Sequence, residues 1–266
     1  MGDAMITVKE IYDFLKTLAP EHMAYEWDHN GLLCGRKNAE VRRILVALDP
    51  FLPLAQEAKA RDCQLLLTHH PALWDLKAVN DDTATGKTLL FLCENGIAAL
   101  NAHTNLDCAP GGVNDCLAAA LGLQKVTVLD PAGTDAEGRE YGLLRGGEVA
   151  QQSPAAFAAF VKEALHCKGL RYCAGKQPVH RVAVGGGCCP EFLNRVAAHG
   201  YDTFVTADVK YNGFHDAAAL GITMIDAGHL QTENPVCAYL AAKIQAAFPE
   251  IEVLQTNLDY DVIEFI

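Results

Sequence analysis

Two adjacent histidines, His69 and His70, close the apolar run Leu65-Leu66-Leu67-Thr68, where a buried strand should end. His103-x-x-x-Asp107 follows a second apolar run and His229-x-x-x-Glu233 a third. Six imidazole and carboxylate groups thus fall at the ends of three predicted strands. One metal ion seldom needs so many protein ligands, whereas two ions sharing a bridging carboxylate do. The candidate ligands are His69, His70, His103, Asp107, His229 and Glu233, with His103 also suited to orienting a neighbour. The set lacks thiolate, which fits two divalent ions of Zn, Mn, Fe, Ni or Co and argues against a structural zinc knot. Two such ions bring four positive charges; Asp107 and Glu233 return two and a shared hydroxide one more. About one positive charge then remains to attract an anionic group. The expected nucleophile is that metal-bridging hydroxide, since water on such a metal ionises near about pH 7. No general acid is assigned; Asp208 and His215 are candidates for orienting a ligand or moving a proton. A single His-x-x-x-Asp is more often an ordinary surface or core pair, and His166, His180 and His199 read that way. The number of groups, and their repeated register, carries the metal reading.

The elements that must position these groups alternate. Thr7-x-x-Glu10 is a capping box, and Val8, Ile11, Tyr12, Leu15 and Leu18 form a helical stripe ended by Pro20. Trp27-Asp28-His29-Asn30-Gly31 is turn-like. Strands are predicted at 43–48, 63–68 and 97–101, helices at 53–61 and 87–95, and a polar loop at 81–86. The second half repeats the order, with strands at 182–184, 201–206 and 222–226 and helices at 190–199 and 212–220. Arg43 lies 26 positions before His69, and Arg181 lies 26 before Ala207, so His69-His70 corresponds to Ala207-Asp208. His103 and Asp107 map onto His229 and Glu233 at a common offset of 126. The expected architecture is α/β: two related α/β units with mixed, mainly parallel sheets flanked by helices. Ser153-Pro154 opens a helix, the serine as cap and the proline in its first turn. A helix at 235–248 and strands within 252–266 should return to the first unit. The expected domains are a discontinuous metal-binding one, 1–125 plus 222–266, and a second at 126–221. Sites in such sheets form at the carboxyl ends of strands, where the histidines fall.

Bulk properties narrow the classes. The chain has 266 residues, 50% hydrophobic, enough for real cores. No apolar stretch approaches the roughly 20 residues that cross a bilayer. Met1-Gly2-Asp3-Ala4-Met5 carries no basic segment before an apolar one, so no secretory signal is expected and the location read is cytoplasmic. A net charge of −12 argues against an extended nucleic-acid surface. None of the ten cysteines forms C-x-x-C. Most read as small buried hydrophobes in a reducing compartment, and Cys188-Cys189 as an unfavourable disulfide. Gly185-Gly186-Gly187 precedes a helix and could hold a phosphate, although a tight turn explains it as well. Thr206 and Lys210 read as site-adjacent or simply solvated.

At these residues a resemblance appears. Leu65-Leu66-Leu67-Thr68-His69-His70-Pro71, Asn101-Ala102-His103-Thr104-Asn105-Leu106-Asp107, and Gly228-His229 with Glu233 resemble the NGG-interacting-factor-three-like family, whose bacterial members are often described as GTP cyclohydrolase type 2 homologs or dinuclear metal centre proteins. Trp27-Asp28 with Gly31-Leu32 is similar to its N-terminal motif, with His29-Asn30 departing from the usual Asn-Val. The resemblance spans nearly the whole chain. It implies metal ligands at His69, His70, Asp107, His229 and Glu233 with His103 adjacent, a two-domain α/β subunit, and a homohexameric ring. Two functions follow. One is a metal-dependent hydrolase of a small anionic substrate such as a nucleotide, either opening a purine imidazole ring as GTP cyclohydrolase does or cleaving a phosphoester. The other is a non-catalytic metal-binding, metal-chaperone or regulatory interaction protein. An open coordination position separates the two.

Overall fold

The computed structural model describes residues 5–75 and 77–266. The Met1–Ala4 segment read for a secretory signal lies outside the described residues. Along the first part of the chain run α1 (Val8–Leu18), β1 (Gly31–Cys34), β2 (Arg43–Ala47), α2 (Leu52–Ala60), β3 (Leu65–Thr68), α3 (Ala84–Glu94), β4 (Ala98–Asn101), α4 (Thr104–Cys108) and α5 (Val113–Ala120). There follow β5 (Gln124–Leu129), β6 (Gly133–Thr134), β7 (Glu140–Tyr141), β8 (Leu144–Gln152), α6 (Pro154–Ala164), β9 (Arg171–Cys173) and β10 (Val179–Val184). The chain ends with α7 (Leu193–Ala198), β11 (Thr203–Thr206), α8 (Tyr211–Leu220), β12 (Thr223–Asp226), α9 (His229–Glu233), α10 (Pro235–Ala247) and β13 (Glu252–Gln255).

Two compact units result, one of residues 1–106 with 237–260 and one of 107–236 with 261–266. The sequence reading drew the boundaries at 125/126 and 221/222. Strand β12 sits in the second sheet because it pairs in parallel with β11, from Thr203↔Thr223 to Thr206↔Asp226.

In the first unit the sheet order is β1-β4-β3-β2-β13. Pairings among β13, β2, β3 and β4 are parallel; only β1 runs antiparallel, on β4. Strands β2, β3 and β4 are apolar on both faces, as parallel strands covered by helices must be. Leu45, Leu66 and Ala99 pack against Leu54, Ala58, Leu89 and Leu92 of α2 and α3. The capping box on α1 is present: the Thr7 amide donates to Glu10 Oε2 at 2.8 Å, and Thr7 Oγ1 accepts from the Glu10 amide. Helix α3 starts three residues before the expected Lys87. Thr83 is its cap and accepts from the Gly86 amide at 3.0 Å, so part of the expected polar loop is helical.

In the second unit the sheet order is β5-β8-β10-β11-β12-β9. The central β10-β11-β12 pairings are parallel and the flanking ones antiparallel. Phe157 and Val161 of α6 pack on Val182, Val205 and Ile225, and Leu193, Val196 and Phe204 build a second cluster. Ser153 caps α6, accepting from the Ala156 amide at 3.2 Å. The helix expected at 190–199 divides into a 3-10 turn at Pro190–Phe192 and α7. Among the described residues after Gln255 no strand continues.

The repeat is visible in pairing register. Ile44 pairs with Leu65 in β2-β3, and Val182 pairs with Thr203 in β10-β11. Both pairs span 21 positions and are separated from each other by 138.

Candidate metal centre

In the first unit three imidazoles converge. His69 and His70 follow β3 immediately, and His103 follows β4 by two residues. Their ring centroids lie 5.0 to 5.6 Å apart, and one ring nitrogen of each lies within 4.8 Å of the other two. His69 is fully buried and His103 buried. Three positive charges could not share this space, but three neutral rings facing one cation can.

Each ring is held by its Nδ1. His69 Nδ1–H donates to the Ala102 carbonyl at 2.9 Å, His70 Nδ1–H to Asp49 Oδ1 at 2.6 Å, and His103 Nδ1–H to Asp28 Oδ1 at 2.7 Å. A carbonyl or carboxylate oxygen only accepts, so Nδ1 carries the proton and a neutral ring presents its lone pair at Nε2. This arrangement fixes a metal-ligating histidine and strengthens it as a base. Asp28 is itself tightly held. Its Oδ1 also accepts from the His29 amide at 2.7 Å, and its Oδ2 accepts from Asn30 Nδ2 at 2.7 Å, the Thr104 amide at 2.9 Å and the Thr104 hydroxyl. Burial alone would raise its carboxyl, but the His103 and Thr104 contacts win and hold it well below the usual carboxylate range. The His103 amide donates to Asn30 Oδ1 at 2.7 Å, fixing the backbone as well.

In the second unit His229 opens α9 and Glu233 lies four residues on, one turn later on the same face. His229 Nε2 is 3.2 Å from Glu233 Oε2, and His229 Nδ1 is 2.6 Å from Asp208 Oδ2. Burial would lower the His229 pKa, but these two carboxylates raise it to about 11 without a metal. Asp208 is lowered correspondingly, first by its bond to His229. Asp208 sits just past β11 at φ +55, a left-handed conformation that aspartate tolerates better than most residues. Asp107 is buried in α4 and its carbonyl accepts from Asn114 Nδ2 at 3.2 Å. Asp107 and Glu233 both act on the buried Cys189, whose thiol is raised well above its usual value by burial first and by these acids next.

The Gly185-Gly186-Gly187 turn shapes this group. Gly187 has φ +65, and a Cβ there would fall 2.1 Å from Glu233 Oε1 and 3.2 Å from His229 Nε2. Glycine therefore clears the space the carboxylate occupies. The turn is no phosphate cradle. Its amides are used within the protein, Gly186 donating to Asn114 Oδ1 at 2.7 Å and Gly187 to Thr232 Oγ1 at 3.0 Å. Thr206 Oγ1 donates to the Gly187 carbonyl at 3.1 Å, which makes Thr206 part of the same turn.

His215 is exposed on α8 and packs edge-on against Tyr211 at 4.6 Å. It joins neither group. Asp49 belongs to none of the motifs legible in the sequence, and Trp27-Asp28 is legible there only as part of a turn. Asp49 follows β2 as His69 follows β3, so the strand-end rule applied to acids would have found it. Asp28 and Asn30 act on a histidine over 70 positions away, which no local pattern reveals. All ten cysteines are thiols; Cys188 is exposed and unbonded to Cys189.

Fold and site together define a two-unit α/β protein whose first unit gathers three histidines that could hold a metal ion. The chain belongs to the Duf34/NIF3 (NGG1p interacting factor 3) family, which it matches over residues 6–261. It is 31% identical over 263 residues to a Clostridium acetobutylicum protein named GTP cyclohydrolase 1 type 2 homolog, covering 96% of this chain and 97% of that one. A Streptomyces coelicolor protein of the same name is 36% identical over 246 residues, covering 90% and 86%. Among solved structures, a Bacillus cereus protein related to NIF3 matches with a TM-score of 0.93 at 26% identity, over 99% of this chain and all of that one. Reduced HcgD from Methanocaldococcus jannaschii matches with a TM-score of 0.78 at 28% identity, covering 96% and 99%. Among the described residues no helix is long and apolar enough to cross a membrane.

Proposed function

We propose that this chain is a metal-dependent hydrolase of a small anionic substrate, with His69, His70, His103, Asp107, His229 and Glu233 holding two divalent ions. One observation carries the reading: ring nitrogens of His69, His70 and His103 lie within 4.8 Å of one another while each ring donates its Nδ1–H to an oxygen, of Ala102, Asp49 or Asp28. An isolated histidine such as His180 makes one such bond, to the Val149 carbonyl at 2.6 Å, so it is the convergence of three oriented rings that points to a cation. The donor set fits the cation. It is imidazole and carboxylate without thiolate, and Gly187 keeps room beside Glu233 and His229.

The ions would supply Lewis acidity and a water ionised near neutral pH. The protein's own part is orientation. Ala102, Asp49 and Asp28 fix three rings; Asp208 fixes the fourth; Asp107 and Glu233 bring the negative charge that offsets repulsion between two cations. A nucleotide is the favoured substrate, because relatives of this chain bear the name GTP cyclohydrolase 1 type 2 homolog. The same reading carries a cytoplasmic homohexamer, which sedimentation of the metal-loaded protein tests.

The deciding experiment is metal analysis of the purified protein, followed by turnover assays on nucleotides and phosphoesters. Activity that disappears with a chelator and returns with Zn or Mn supports the proposal. Full occupancy of two ions with no turnover on any substrate points instead to a metal-carrying protein. A chain that retains no divalent ion overturns both.

A further inference from the structure

Three aromatic side chains of the first unit stand exposed beside its histidines: Tyr25 at 40%, Trp27 at 61% and Trp74 at 47%. Leaving such rings in water forgoes a large hydrophobic gain, and grouped exposed aromatics usually mark recognition. These are arranged rather than scattered. Tyr25 and Trp27 lie 5.9 Å apart at an interplanar angle of 6°, and Trp27 and Trp74 lie 6.2 Å apart at 27°. Both indoles stand in T-shaped contact with His103, with ring centroids at 5.0 Å for Trp74 and 6.2 Å for Trp27.

Their backbone is held where a loop would otherwise move. The Tyr25 amide donates to Thr104 Oγ1 at 3.0 Å, and Trp27 precedes Asp28, buried beneath its five donors. The chain thus fixes Trp27 in an exposed position through the same carboxylate that orients His103.

We infer that Tyr25, Trp27 and Trp74 form a stacking platform for the base of a nucleotide bound at the metal centre. The inference rests on the metal-dependent reading above and names the part of the substrate that reading leaves open. The chemistry at the two ends differs as a nucleotide's does. Partly exposed aromatic rings lie at one end, and the imidazoles proposed to hold a cation begin at His103, 5.0 Å from Trp74. A ring stacked on Trp74 therefore lies near His103, close enough for its own atoms or its phosphate to meet an ion held there. Stacking tolerates any base, so the platform gives affinity, and choice among bases comes from elsewhere.

The test uses the full-length protein loaded with Zn and two probes, GTP and inorganic tripolyphosphate, titrated calorimetrically. Trp27→Ala and Trp74→Ala should each weaken GTP binding roughly tenfold or more, the usual loss for one stacked base. Tripolyphosphate binding and zinc content should stay within about twofold of wild type, and Trp74→Phe should recover part of the GTP affinity. Equal weakening for both probes, or unchanged GTP affinity, overturns the platform. So does a change in sedimentation with unchanged GTP binding, which would make these rings a contact between copies. A wild-type protein that holds zinc but binds neither probe also overturns it, and one that holds no zinc removes the metal reading beneath it.

Discussion

The two units build the same parallel core and arm it differently. Where the first places His69-His70 after β3, the second places Ala207-Asp208 after β11, at the same distance from the preceding strand pairing. The first unit gathers three imidazoles and orients two of them with acids, Asp49 after β2 and Asp28, which precedes the repeat. The second gathers acids around a single imidazole, and the position of His70 in the first is taken by Asp208, which bonds His229. The two units thus share strand register and differ in the residues at their strand ends. Electrostatics follow. The His229 group is a carboxylate-rich ion pair in which metal must displace a proton from a ring raised to about 11. The first group offers rings already turned by their Nδ1 bonds.

The largest expected effect breaks the acidic half. Glu233→Gln removes the charge beside His229 and should weaken metal retention by more than about a hundredfold, larger than an orienting partner's usual contribution. Metal content after dialysis measures it. Retention equal to that of His215→Ala would show that Glu233 is no ligand.

Next, the orienting acids compare directly. The Asp28 side chain is fully buried and that of Asp208 half exposed. Asp28→Asn would turn an amide NH2 toward Asn30 Nδ2 and Thr104, all donors, and should cost about 2–4 kcal/mol by denaturant unfolding. It should also weaken metal binding about ten- to a hundredfold. Asp208→Asn meets only His229 and water, so its stability cost should stay under about 1 kcal/mol. Equal costs would mean the burial difference carries no weight.

Much of this was legible from the chain. The strand ends at His69, His103 and His229 could be read because each follows an apolar run too short for a helix, and the Thr7 and Ser153 caps because capping is local. What stayed hidden is non-local. Asp28 reaches His103 across 75 positions. Gly187 earns its place through a clash with Glu233. β1 joins the sheet antiparallel although its sequence is as apolar as its neighbours. Helix α3 began early because Thr83, read as loop, supplies a cap.

A smaller effect probes the turn beside the acids. Gly187→Ala needs a side chain at φ +65 and 2.1 Å from Glu233 Oε1. It should cost about 1–3 kcal/mol and lower metal affinity of the second unit, with Gly96→Ala as the control. That residue also has a positive φ, +66, but its Cβ would meet nothing within 4 Å. The difference between the two variants isolates the clash from backbone strain; no difference would show that Glu233 moves aside freely.

The smallest effect is in acid, where the two halves separate once more. Asp28 and Asp208 both have carboxyls lowered in the folded protein, so each adds stability that is present above the unfolded value of about 4 and lost as pH falls through the folded one. Metal-free protein should therefore lose stability steadily below about pH 4. Asp28→Asn should flatten that slope, because the unfolded state no longer takes up a proton there that the folded state refuses. Asp208→Asn should flatten it less, since solvent already screens its bond to His229. Parallel slopes in the two variants would mean that the buried network around His103 and the exposed pair at His229 hold their protons alike, and the contrast between the units would then lie in ligand type alone.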